Sequence, residues 1–120
     1  MLADISVVKN IYVATGVTDM RKSINGLVAI IQEQFQLSPF TPSLFLFCGR
    51  RRDRFKAILW QSDGFVLIYK RLENGGRYKW PNDLEQPMTI SWKEFTWLMD
   101  GLEINQPKAL KPIETPGLLY

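Results

Sequence analysis

The hydrophobic positions of the chain change period twice. Between Met20 and Phe35 the apolar residues fall at Met20, Ile24, Leu27, Val28, Ile31 and Phe35, spacings that place all six within about a 100° arc of a 3.6-residue helix. Thr18 is read as the N-cap of that helix, offering its hydroxyl to an orphan backbone N–H, with Asp19 at the positive end of the dipole. Pro39 and Pro42 stop it. From Ser43 the pattern is extended, over residues 43–48, 54–60, 64–72 and 77–80. A short strand over Asn10 to Ala14 precedes the helix, and Met88-Thr89-Ile90 follows a loop containing Pro87. Ser91 and Glu94 have capping-box spacing and open a second helix that should end near Gly101.

Asp63-Gly64 and Asn74-Gly75 separate the last three extended runs, and both dipeptides suit the positive φ angles of a type I′ hairpin. The expected fold is α+β: an antiparallel meander of about four to five strands against a long N-terminal amphipathic helix and a short C-terminal helix. Residues 1–104 are expected to form one domain and residues 105–120 an extended, proline-containing tail.

The turns also assign faces, because opposed residues of an antiparallel pair point the same way. A two-residue Asp63-Gly64 turn sets Trp60 against Leu67, Ile58 against Tyr69 and Lys56 against Arg71; a four-residue turn keeps this partition and a three-residue turn inverts it. With Asn74-Gly75 as the second turn, Arg71 opposes Tyr78 and Tyr69 opposes Trp80. One face then carries Phe55, Ala57, Leu59, Val66, Ile68 and Leu72, with Lys70, Arg77 and Lys79 toward an edge. The other carries Arg54, Lys56, Trp60, Tyr69, Arg71, Tyr78 and Trp80, with Ile58, Phe65 and Leu67 between them.

Charge sharpens this picture. The net charge of +3 hides a local excess: residues 50–79 hold nine basic side chains against three acidic ones, while residues 80–120 hold three lysines against six carboxylates. Arg50, Arg51, Arg52 and Arg54 crowd one loop, where they repel unless phosphates or carboxylates neutralise them. Arg21 and Lys22, in the first turn of the first helix, add a second place for an anion. Rings interleaved with cations suit a surface that stacks bases and holds phosphates. The plainer reading is a solvated basic face whose lysine and arginine stems cover aromatic core residues.

Several chemistries lack their residues. The chain of 120 residues has no histidine and one cysteine, Cys48, which removes histidine-based nucleophile arrangements, most zinc sites and dithiol redox chemistry. Asp19, Asp53 and Asp63 share no metal-ligand spacing, and the glycines form no P-loop. No cofactor, metal or catalytic residue is expected. The longest apolar run, Leu44 to Cys48, is far short of a bilayer span, and the N-terminal segment lacks the positive charge of an export signal, so a cytoplasmic location is expected.

Three blocks in order carry a resemblance: TDMRKSINGL at 18–27, LFLFCGRRRDRFKAILWQSDGFVLIYKRLENGGRYKWP at 44–81, and ISWKEFTWLMDGL at 90–102. Together they resemble the small accessory protein of insertion sequences of the IS sixty-six class, the second open-reading-frame product or TnpB. The resemblance implies a bacterial transposition factor that works beside a larger transposase carrying the catalytic carboxylates. Thr18, Asp19, Met20, Arg21 and Lys22 match its first block. Arg51, Arg52, Asp53, Arg54, Lys56, Leu59, Trp60, Gly64, Tyr69, Lys70, Arg71, Leu72, Glu73, Gly75 and Trp80 match its second, and Gln61-Ser62 stands where the family pattern is more acidic. Two functions follow as expectations. One is a non-enzymatic factor that binds DNA, at transposon ends or an intermediate, through Arg50 to Arg54 and the basic, aromatic sheet face. The other is an adaptor for the transposase using Trp60, Tyr78, Trp80 and the tail.

Overall fold

A computed structural model describes residues 4–83 and 85–110. After a single 3-10 turn at Ile5–Val7, the chain forms β1 (Asn10–Val13), α1 (Ile24–Ala29, continuing as a π-helix over Ile30–Gln34), β2 (Ser43–Cys48), β3 (Arg54–Gln61), β4 (Gly64–Arg71), β5 (Met88–Ile90) and α2 (Trp92–Met99). The five strands make one sheet in the order β4-β3-β2-β1-β5. From residue 111 the expected tail lies outside the described residues.

The sheet is mixed, which corrects the antiparallel meander. β1 and β2 run parallel, Ile11 beside Leu44 and Val13 beside Leu46; β2–β3, β3–β4 and β1–β5 are antiparallel. A parallel pair needs a long crossover, and α1 supplies it between β1 and β2. That puts β2 at the centre, where every residue of SLFLFC is buried, as expected for a strand covered on both faces.

The first helix is shorter than its apolar periodicity suggests. Six α-helical residues run into five of π-helix, and Thr18 is not the cap. Its N–H instead donates to the Cys48 carbonyl at 2.9 Å, extending the contact between the two strand ends. Asp19 accepts from the Arg21 N–H at 2.9 Å and folds residues 19–22 into a turn, since a short carboxylate competes with helix for nearby backbone donors. Helix begins only after Ser23. Met20 still packs with Ile24, Leu27, Val28 and Ile31, so its place in the pattern reflects a shared core and not a shared helix.

Two clusters sandwich the sheet. Leu27 and Ile31 of α1 cover Phe45, Phe47 and Ile58 on one face. On the other, Leu98 of α2 joins Ile11, Val13, Leu44, Leu46, Phe55, Ala57 and Leu59. α2 has the predicted ends. Ser91 Oγ accepts from the Glu94 N–H at 3.1 Å and Glu94 Oε1 from the Ser91 N–H at 2.8 Å. At the C-terminus, Gly101 at φ 80° lets Leu102 N–H reach the Trp97 carbonyl and Gly101 N–H the Leu98 carbonyl.

The first hairpin turns at Ser62-Asp63, not Asp63-Gly64, with Gln61 opposite Gly64. Trp60 therefore faces Phe65, and Lys56 faces Tyr69. A slip of two positions leaves the face partition of β3 and β4 intact. The second predicted hairpin fails in an instructive way. Asn74 and Gly75 do take positive φ, 58° and 79°, and Gly76 N–H closes on the Glu73 carbonyl at 3.3 Å. Residues 77–80 then leave β4. Leu72 N–H donates to Asp53 O at 2.6 Å and Tyr78 N–H to Arg52 O at 2.7 Å, carrying the chain across the end of β3.

That route overturns the placement of two aromatic site candidates. Tyr78 and Trp80 are 3% and 7% exposed and pack on Phe55, on the α2 face of the sheet. The eight-residue α2 is short, and two large rings complete the apolar cover. The second hairpin would also have set Lys70 opposite Lys79 across the ladder, and that pairing is lost with it.

Candidate nucleic-acid interface

The Arg50–Arg54 loop is built by a tight turn. Arg52 N–H donates to the Gly49 carbonyl at 3.0 Å, and Arg52 itself sits at φ 60°. Gly49 is buried, and a Cβ there would lie 2.7 Å from Met20 Cγ. Glycine thus lets the β2–β3 loop approach the β1–α1 loop. Arg52 clamps the pair: its Nη1 donates to the Gly16 carbonyl at 3.0 Å. Arg52 is therefore a structural link, not a free member of the basic run.

Between the joined loops lies an open cleft of about 560 Å³ whose charged walls are Arg21, Arg50, Arg51 and Arg54 against Asp19 and Asp53. Pairing is uneven. Arg54 forms a two-pronged bond to Asp53 at 2.8 and 3.1 Å, and that bond holds the Asp53 carboxyl below its usual range. Arg21 does the same for Asp19, whose pKa falls further. Arg51 is 79% exposed and only 3.9 Å from Asp53. Among the described residues no carboxylate oxygen comes within 4.0 Å of Arg50, Arg77, Lys70 or Lys79. The exposed Arg21–Asp19 pair and the loose contact of exposed Arg51 with Asp53 add little stability and leave those two arginines open to other anions, whereas Arg54 and Asp53 are partly covered.

Arg51, Asp53 and Arg54 also wall a second hollow of about 300 Å³, completed by Arg71, Glu73 and Arg77. Arg71 donates through Nε and Nη2 to one oxygen of Glu73. Lys56 donates to the Lys22 carbonyl at 2.8 Å, and its ammonium sits 5.4 Å from the centre of the Tyr69 ring. Of the sequence-predicted site residues, Arg21, Arg50, Arg51, Arg54, Arg71 and Arg77 thus share one end of the molecule. Lys22, Lys56 and Tyr69 hold one another on the α1 face of the sheet. Lys70 and Lys79 are exposed, Lys70 on β4 and Lys79 beyond it.

Trp60 belongs elsewhere. At the far end of β3 it meets Phe65 and Phe40, with ring centres 4.9 and 5.0 Å away, and Phe40 is 54% exposed. Sequence reasoning missed Phe40. The available signal was a phenylalanine in the Pro39–Pro42 loop, outside any apolar period, since loops run over the surface.

The model of the family described as IS66 Orf2 like protein matches residues 9–109, and the chain belongs to that family of insertion-sequence accessory proteins. It is 34% identical over 106 residues to the uncharacterized protein y4jC of Sinorhizobium fredii, covering 88% of this chain and 89% of that one. It is equally 34% identical over 98 residues to the uncharacterized protein y4hO of the same organism, covering 82% and 84%. No solved structure matches the chain. Among the described residues no helix is long and apolar enough to cross a membrane.

Proposed function

We propose that this chain is a non-enzymatic transposition factor that binds DNA through the cleft between the β1–α1 and β2–β3 loops. The observation that carries the reading is the convergence of Arg21, Arg50, Arg51 and Arg54, distant in sequence, on one open cleft with only Asp19 and Asp53 to offset them. Guanidinium forks bind phosphate oxygens in pairs. The sites of contact are Arg50, Arg51, Arg54 and Arg21 first, then Arg71, Arg77, Lys22, Lys56, Lys70 and Lys79. Tyr78, Trp80 and Arg52 support the site from inside.

The test is a binding titration on duplex DNA at several salt concentrations. Neutralising about four phosphates gives a slope of log K against log salt near −3.6. Arg50→Ala together with Arg51→Ala should weaken retention and flatten the slope. A salt-independent interaction, or retention untouched by both substitutions, overturns the reading.

A second reading, an adaptor that holds the transposase, is favoured by one observation, the partly exposed Phe40–Trp60–Phe65 cluster. Aromatic residues are common anchors of protein contacts. If that surface is the contact, Trp60→Ala abolishes co-purification with the transposase and leaves DNA binding intact.

A further inference from the structure

The two hollows share a wall, and that arrangement narrows the ligand. Arg51, Asp53 and Arg54 line both, with Arg21 and Arg50 on one side and Arg71 and Arg77 on the other. Each hollow therefore has four guanidinium groups and two carboxylates around it. A single phosphate would engage one hollow and leave the other's cations facing one another; a chain of phosphates can straddle the ridge and engage both.

The rings point the same way. Recognition of single strands without sequence preference relies on exposed aromatic faces beside the cations. Tyr78 and Trp80 are buried. Trp60 lies six residues along β3 from Arg54, about 20 Å at strand rise, and contacts Phe40 and Phe65. Among the described residues Tyr69 alone keeps an exposed ring near the arginines, and the Lys56 ammonium, fixed by the Lys22 carbonyl, lies over it.

Resting on the DNA-binding reading above, we propose that this chain grips at least two consecutive phosphodiester groups astride the Arg51–Arg54 ridge and does so without stacking on bases. The ligand it reads is the sugar-phosphate backbone. Sequence preference, where transposition requires it, comes from another component.

The experiment measures binding of the full chain to three probes of equal length: an oligothymidylate, an abasic phosphodiester oligomer and a duplex. The thymidylate and abasic probes should bind within about twofold of each other, since losing a stacked base costs roughly fivefold or more. The duplex should bind more tightly, with the steeper salt slope that its charge density gives. Arg50→Gln and Arg77→Gln, one from each hollow and both keeping part of the apolar stem, should each weaken all three probes and reduce the salt slope by about one. Thymidylate bound fivefold or more above the abasic probe, or lost selectively in Tyr69→Ala, overturns base-independent binding while the DNA-binding reading stands. Arg77→Gln without effect beside a weakened Arg50→Gln overturns the two-hollow grip. If none of the probes binds, the DNA-binding reading itself falls.

Discussion

The Trp80 indole N–H donates to the Ala14 carbonyl at 2.8 Å, although the two residues are 66 positions apart. The bond ties the segment after β4 to the end of β1, on the α2 face and beneath the loops that form the basic cleft. Trp80→Ala removes the bond and most of a buried ring, and should lower stability by about 3–5 kcal/mol. Trp80→Phe keeps much of the packing but leaves the Ala14 carbonyl unpaired, a cost of about 1–3 kcal/mol. Urea melts of both variants check the order. Equal losses would mean that the hydrogen bond, not the ring, carries the site.

Arg52 and Arg50 should separate stability from binding. Arg52 donates to the Gly16 carbonyl and is partly covered, whereas Arg50 is exposed. Hydrogen bonds from charged donors contribute about 1.5–3 kcal/mol, so Arg52→Ala should lower the melting temperature clearly. Arg50→Ala should stay within about 0.5 kcal/mol of the parent, as exposed substitutions do, while weakening polyanion binding. Thermal melts alongside DNA titrations decide it. A destabilised Arg50 variant would show that its side chain is not free.

These contrasts mark where the sequence was legible. α2 could be read in full because its signals are local: Ser91 and Glu94 lie three positions apart, and Gly101 caps the other end. The faces of β3 and β4 survived a displaced turn because parity, not turn position, sets them. What failed was non-local. No local pattern tells β1 to lie parallel to β2, and Asn74-Gly75 specifies a reversal without specifying which strand the returning chain joins. Tyr78 and Trp80 followed from that second point: once the ladder was absent, parity no longer governed them. The arginine run was visible as composition, but the contribution of Arg21 and the inward role of Arg52 depend on two loops meeting. Residues 16–22 and 49–54 are brought together only by the parallel strand pair.

Asp53 should have opposite effects on folding and on binding. Its bond to Arg54 depresses its carboxyl pKa, so it stabilises the fold above the unfolded value near 3.9, and that contribution disappears as pH falls through the lower folded value. Asp53→Asn should therefore be less stable than the parent at neutral pH, with the difference closing below about pH 4. The same change frees Arg54 and removes a carboxylate from both hollows, so polyanion affinity at neutral pH should rise. Thermal melts across pH and a DNA titration test the two halves. A stability gap that persists unchanged in strong acid would assign the loss to something other than the carboxylate's charge.

Gly49 and Met20 should be coupled, and through them packing is tied to the cleft. A Cβ at position 49 would stand 2.7 Å from Met20 Cγ, much closer than atoms in contact tolerate. Gly49→Ala must displace the Met20 side chain or push the loops apart, and overpacking of this kind costs about 1–3 kcal/mol. Met20→Ala alone loses contacts with the α1 cluster. Combined, the two changes should cost less than their sum, by about 0.5 kcal/mol or more, because the truncated side chain vacates the space the new methyl needs. DNA binding should follow the same cycle: weakened in Gly49→Ala, where Arg50 and Arg51 move away from Arg21, and restored in part in the double variant. Strict additivity in stability together with unaltered binding would show that the loops already tolerate the extra volume, and that glycine at this position is not what keeps the two loops together.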